Sequence, residues 1–403
     1  MERFELQQEA VQLMIKHHRV ALQWCTGLGK SKAAIDVIKI MKPANVLLVV
    51  AEIAHKDTWR KEFEKWELNT SLTEITLETY ASLKNHRKES FDLLILDEGH
   101  HAGSELRIDI LNDIKAKNVL VLSATLPNDV LFQLQEIYGD FTNYRITLQQ
   151  AIEWGILPEP KIYLIPMELD NTHLSQSVVE EWGKSTKRKT VKCKIAERWT
   201  YIKNKSMYPD IRLEIQCTEL QKYIYLTDKA EFWKKQFFRT RNEGVKNKWL
   251  QLGSERKRYL GGLKTEKANQ LISVIKSKRF ICFCSSIEQA EVLGGENSIH
   301  SKKKGALNTI DYFNNKEIDS LFAIGMIQEG QNLVDIEVGV IIQLDGQERA
   351  FVQKSGRAMR AEEPVLFILY YKNTRDEEYL NKALEDMNPE YVTEVTDLNE
   401  ILI

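Results

Sequence analysis

The chain has 403 residues, 43% of them hydrophobic and 28% charged, with a formal net charge of -2. That balance excludes global disorder and a uniformly basic nucleic-acid binder, so a polyanion would have to be met by a local patch. The length suffices for two or three domains with real cores. The five cysteines (Cys25, Cys193, Cys217, Cys282, Cys284) lack zinc-ligand or disulfide-framework spacing and read as reduced, mostly structural thiols. Apolar runs such as VLLVV and VGVII are too short to span a bilayer, and MERFELQQEA has no apolar leader region, so a cytoplasmic enzyme is expected.

In chain order, FELQQEAVQLMIKHH reads as an amphipathic helix with Gln7 at its edge. RVALQW is a short strand that runs into WCTGLGKS, Trp24 to Ser31, which reads as a phosphate-binding loop. Thr26, Gly27, Leu28 and Gly29 form the turn, and the glycines let successive backbone N–H groups point at one phosphate chain. Lys30 adds a point charge, and Ser31 offers a hydroxyl to Mg²⁺. A helix over Lys30 to Met41 would aim its positive end at the same anion. Trp24 departs from the strict G-x-x-x-x-G-K-[ST] pattern, in which that position is glycine. The competing reading is a glycine turn that carries Gly-Lys-Ser by chance.

Buried strands are expected at VLLVV, ITLETY, FDLLILD and NVLVLS, with the helical stretch TWRKEFEKW between the first two. Strands separated by helices predict an α/β lobe with a parallel sheet, whose ligands bind at the carboxyl ends of the strands. Gly155, Pro158 and Pro160 are expected to break regular structure and close this lobe, residues 1–157. Residues 158–262 read as a linker and a mainly helical, basic insertion. There Lys184, Lys187, Arg188, Lys189, Lys192 and Lys194 crowd together, and aromatics recur around Trp233 to Phe238. Parallel order returns over residues 263–403 with RFICFCSS, SLFAIG, VGVIIQL and VLFILYY. This second sheet has no glycine phosphate loop of its own.

Asp97 and Glu98 end an apolar strand, so both carboxylates emerge at the ligand edge. Asp97 suits the metal and Glu98 the attacking water. An exposed acidic turn before His100 and His101 is the plain alternative, and no Cys/His cluster supports zinc there. The histidines read as polar links to the second lobe, His100 being the better candidate. In QKSGRAMR, Arg357 and Arg360 fall on one helical face, able to meet a γ-phosphate across a cleft if the lobes close. Otherwise they belong to a solvated basic helix.

In order, FELQQEA, CTGLGKS, VVAEIAHKDTW, ETYASL, DEGHH, SAT, FICFCSSIEQAEVL, IQEGQNL and QKSGRAMR resemble the motif series of superfamily 2 helicases and translocases. TWRKEFEKW, the QNL and IIQLD tracts, and FILYYKNTRDEEYL are similar to the Swi/Snf-like double-stranded DNA translocase branch. The resemblance implies two tandem RecA-like lobes of the P-loop NTPase class, with ATP and Mg²⁺ as cofactors. By the same resemblance Gln7 reads adenine, Gln353 joins the nucleotide site, and Arg357 and Arg360 are arginine fingers. Thr79, Ser123, Thr125 and Ser285, with His100, would couple hydrolysis to strand contacts. Apart from the resemblance, the basic cluster that includes Lys187, Arg188 and Lys189 suits phosphate contacts, the plain alternative being a flexible solvated loop. Ala51, Gly99 and Gln331 depart from the family wording without removing a catalytic group.

The expected function is an ATP-dependent motor on DNA, acting on duplex or branched DNA in replication, recombination or repair. It is read as a monomeric motor with possible replication or recombination partners and no membrane association, in the cytoplasm of a bacterium or of a phage-infected host. The alternatives are an ATP-switched DNA-binding subunit of a restriction-type complex and an RNA helicase.

Overall fold

The computed structural model describes residues 2–186, 188–324, 333–344 and 361–401. The first lobe is a six-stranded, all-parallel sheet in the order β3-β2-β4-β5-β1-β6. Its strands are β1 (Arg19–Trp24), β2 (Asn45–Val50), β3 (Glu74–Thr79), β4 (Ser90–Asp97), β5 (Lys115–Ser123) and β6 (Thr142–Ile146). The helices are α1 (Arg3–His17), α2 (Lys30–Met41), α3 (Ile53–Lys65), α4 (Glu105–Asn112), α5 (Asn128–Tyr138) and α6 (Leu148–Glu153).

The apolar runs are continuous because both faces of the sheet are covered. Val46, Leu48 and Val50 of β2 enter one core with Leu93, Ile95, Leu120 and Leu122. Leu47 and Val49 enter the other with Leu94, Leu96, Val119 and Val121. The first core also holds Leu6, Ala10 and Met14 of α1, and it continues into the second lobe as far as Ile368 and Leu380.

The stretch expected to lack regular structure holds α6 and then β7 (Lys161–Met167). Thr147 caps α6 by accepting the Gln150 amide, so the helix forms before Gly155 can interrupt it. β7 is a strand of the second sheet rather than part of a linker: it lies parallel to β15 (Val365–Tyr371) along its whole length. Ile162 and Ile165 are buried there, and Pro166 falls past the short partner strand β16 (Val392–Glu394).

The insertion is not helical alone. β8 (Gln176–Trp182), β9 (Lys189–Lys194) and β10 (Ile211–Cys217) form a small sheet in the order β8-β10-β9. Ile211, Leu213, Ile215 and Cys217 alternate inward, the period of a half-buried strand. The short helix α7 (Arg198–Lys203) precedes β10, and the long hairpin α8 (Glu219–Thr240) and α9 (Glu243–Leu263) follows it.

The second lobe continues with α10 (Thr265–Ile275), β11 (Phe280–Phe283), α11 (Ile287–Gly294), β12 (Ser298–Ile299), α12 (Ala306–Asn314), β13 (Ser320–Ala323) and β14 (Val338–Ile341). After β15 comes α13 (Arg375–Ala383). The seven strands are parallel in the order β12-β13-β11-β14-β15-β7-β16. Two parallel-stranded α/β lobes are therefore present, as the strand and helix pattern predicts.

A buried ion pair organises the second lobe. Lys264, at the junction of α9 and α10, is wholly buried and pairs with Asp376 at 2.6 Å. Its ammonium also donates to the Ile342 and Leu369 carbonyls at 2.8 and 2.9 Å, and Gln343 Nε2 donates to Asp376 Oδ1 at 2.6 Å. Burial lowers the Lys264 pKa from the ordinary lysine value, and Asp376 opposes that shift. Removing one partner of such a pair leaves an uncompensated buried charge. Lys264→Met is expected to lose about 3–5 kcal/mol of unfolding free energy, read from urea titration of the second lobe.

Candidate nucleotide site

β1 delivers the glycine loop to the carboxyl edge of the first sheet. Gly27 and Gly29 have φ of +98° and +85°, where a side chain is strained. A Cβ on Gly29 would also lie 2.3 Å from Gln7 Nε2. Gln7 is buried on α1 and donates to the Leu28 carbonyl at 3.3 Å, so the first helix is pinned to the loop. Gly29 is the N-cap of α2, whose first turn holds no acidic residue. An anion therefore meets the helix's positive end without competition from a carboxylate in that turn. Lys30 Nζ donates to the carbonyls of Trp24 and Cys25 at 2.9 and 3.4 Å. Thr26 and Ser31 are part-exposed, and Leu28 is buried. Trp24 ends β1 wholly buried, its ring edge-on to Tyr144 at 5.8 Å. Where the strict motif has glycine, this fold has a core residue.

β4 delivers the acids. Glu98 has φ +48° and ψ +55°, a left-handed conformation that costs a non-glycine residue roughly 1–2 kcal/mol. Asp97 is held from several sides. Its Oδ2 accepts the Trp59 indole N–H at 2.8 Å, and its Oδ1 accepts the Glu98 amide at 3.1 Å. The Tyr80 hydroxyl donates to its carbonyl at 3.0 Å. Burial raises the Asp97 carboxyl above the ordinary aspartate range, against Trp59, His55 and Lys30, which lower it.

His100 Nδ1 lies 3.4 Å from Glu98 Oε2 and 3.4 Å from Ser123 Oγ. The Ser123 hydroxyl donates to the Thr125 carbonyl at 2.7 Å. Glu98 and Ser123 both belong to the first lobe. They join the acid pair to the Ser-Ala-Thr turn after β5. A cavity of about 290 Å³ lies between the lobes, lined by Cys25, Thr125 and Arg145 of the first and by Lys382 and Met387 of the second. Beside it the Asn388 amide donates to Gln149 Oε1 at 3.0 Å.

Other sequence-predicted residues are placed apart from this edge or engaged elsewhere. Thr79 is buried, with its hydroxyl 3.3 Å from Ser82 Oγ. Ser285 donates through both its amide and its hydroxyl to Gln289 Oε1, at 2.8 and 2.9 Å. Arg188 pairs with Glu181 at 3.4 Å and donates to the Gly183 carbonyl, while Lys189 is exposed at the start of β9. Lys187, Gln353, Arg357 and Arg360 lie outside the described residues. Sequence reasoning missed Trp59, Tyr80 and His55. The spacing of His55, Trp59 and Phe63 marks the buried face of α3, but nothing in it says that the indole meets Asp97.

The fold and this edge define a P-loop nucleoside triphosphatase with tandem α/β lobes. Residues 1–128 match the family described as "Type III restriction enzyme, res subunit", and residues 263–362 match "Helicase conserved C-terminal domain". The DNA 3'-5' translocase XPB2 of Sulfurisphaera tokodaii is 22% identical over 394 residues, covering 92% of this chain and 82% of that protein. Among solved structures, S. cerevisiae Dbp5 bound to RNA and ADP BeF3 superposes with a TM-score of 0.57 at 11% identity, over 97% of this chain and 89% of that one. The ATP-dependent Type ISP restriction-modification enzyme LlaBIII bound to DNA gives 0.54 at 12% identity, over 99% of this chain and 32% of that one. The two family matches and this relative support a superfamily 2 helicase or translocase, an ATP-hydrolysing enzyme. The Swi/Snf-like wording is a secondary likeness. Among the described residues no helix is long and apolar enough to cross a membrane.

Gly29→Ala is expected to cost roughly 1–2 kcal/mol in chemical denaturation because alanine resists this φ. Gly253→Ala, inside α9 with open space around it, is the control and should gain about 0.5–1 kcal/mol.

Proposed function

We propose that this enzyme couples ATP hydrolysis to movement along DNA, with duplex or branched DNA favoured over single strands. The observation that carries the reading is the likeness to a DNA translocase over 92% of the chain, combined with a glycine loop and an acid pair at one sheet edge. Neither an RNA helicase nor a restriction-type subunit is better supported.

In this reading Gln7 contacts the adenine, and Thr26, Gly27, Leu28 and Gly29 present backbone N–H groups to the phosphates. Lys30 leaves its loop carbonyls for the β- and γ-phosphates. The donor set fits Mg²⁺: Asp97 and Ser31 are hard oxygen donors, and such an ion keeps waters and phosphate oxygens rather than an all-protein cage. When bound, Mg²⁺ would neutralise charge on the phosphate oxygens. Glu98 orients the attacking water and takes its proton, and His100 holds that carboxylate against the Ser123–Thr125 turn. Arg357 and Arg360 stabilise the charge on the transferred phosphoryl group, with Gln353 beside them.

We assign Thr79, Ser123, Thr125 and Ser285 to the coupling of that chemistry to the strand. Lys187 and Lys189 meet phosphates, so binding weakens steeply with salt. Arg188 contributes less, because Glu181 already holds it. The domain division that goes with this function is a first lobe to residue 157, an insertion, and a second lobe from 263 that also recruits β7.

Steady-state ATPase rates on single-stranded DNA, duplex, forked DNA and RNA test the proposal. Duplex and forked DNA should stimulate most, and Lys30→Ala should abolish the response. A flat response across the four polymers contradicts it. Glu98→Gln should lower kcat by about 10²–10⁴ while nucleotide affinity is retained.

A further inference from the structure

We propose that Trp59 is a positioning residue, whose indole N–H fixes the orientation in which Asp97 faces the cation that accompanies the nucleotide. The inference rests on the reading of Asp97 as the metal-facing acid and gives a role to Trp59, which the stretches VVAEIAHKDTW and TWRKEFEKW contain without assigning it one.

Trp59 sits at the centre of the buried face of α3, 2% exposed, between His55 and Phe63. Its ring is braced by Phe63 at 5.8 Å and 52°. The bracing aims a donor that can only donate, and a buried indole N–H needs an acceptor. That acceptor is Asp97 Oδ2 at 2.8 Å. The opposite oxygen takes the Glu98 amide, and Tyr80 holds the backbone carbonyl of the same residue. Carboxylate and main chain are thus fixed from two elements, α3 and the turn after β3.

A carboxylate has about four acceptor positions, and these two donors use one on each oxygen. Lys30 of the glycine loop acts electrostatically on the same carboxyl. Groups that hold a metal ligand from behind set its angle, and their loss typically costs about 10–100-fold in metal affinity or activity. Phenylalanine at position 59 would lose the donor and leave part of the indole's buried volume unfilled, so a bicyclic side chain without the N–H isolates the donor's effect.

The test measures equilibrium binding of a fluorescent, non-hydrolysable ATP analogue with and without Mg²⁺, alongside thermal unfolding. Two proteins are compared with wild type: Trp59→Phe, and a variant with a benzothienyl side chain at 59, which keeps the bicyclic shape without the N–H. The expected result is unchanged metal-free affinity and a gain from Mg²⁺ smaller by on the order of tenfold in both. An undiminished gain from Mg²⁺ in the benzothienyl variant overturns the proposal. So does an equal fall of both affinities, which would mark a packing role. Asp97→Asn separates the two layers: if it leaves the Mg²⁺ gain intact, the metal-facing role of Asp97 fails, and this proposal with it.

Discussion

A triphosphate carries more charge than most protein surfaces can gather, and a parallel sheet offers one place to meet it, the edge where its strands end. The strand order fixes the geometry of that place. β5 lies between β4 and β1, so the acids and the glycine loop emerge two strands apart, roughly 10 Å at the usual strand spacing. The gap takes a phosphate chain and a hydrated cation. Ser123 ends the intervening strand, and His100 ties it to Glu98, so the floor of the gap is braced by side chains rather than left to loop conformation.

The second lobe is built to move as one piece with the insertion. α9 runs into Lys264, whose ammonium gathers β14, β15 and α13 around one buried charge. A second tie lies higher on the hairpin, where Tyr223 accepts the Arg375 amide and Glu231 pairs with the Arg375 guanidinium at 3.0 Å. Gly261 packs so closely on Ser285 that a Cβ there would lie 2.3 Å away. The α8–α9 hairpin therefore follows the second sheet.

The parts of this enzyme that are legible in the sequence are those where chemistry and local conformation demand the same residues. Gly27 and Gly29 are needed for positive φ and for the approach of Gln7, so the loop announces itself despite Trp24. Asp97 and Glu98 stand out because charge ends an apolar run. The small sheet of the insertion is harder to see, since its lysines outweigh the inward alternation of Ile211 to Cys217. β7 is hidden by the neighbouring prolines, and only pairing with β15, some two hundred residues later, makes it a strand. The Trp59–Asp97 contact belongs to the same class: it joins α3 to β4, a meeting that no local spacing encodes.

In the proposed function two lobes close around one nucleotide, with Arg357 and Arg360 of the second completing a site on the first. All five cysteines are buried, so dyes placed through Leu106→Cys on α4 and Val292→Cys on α11, both highly exposed positions, report the distance between lobes. With duplex DNA, Mg²⁺ and a non-hydrolysable ATP analogue, energy transfer should shift toward the value of a closed state. The shift should vanish when Arg357 and Arg360 are both replaced by alanine. Transfer that ignores nucleotide, or that responds equally with and without the two arginines, would contradict the account.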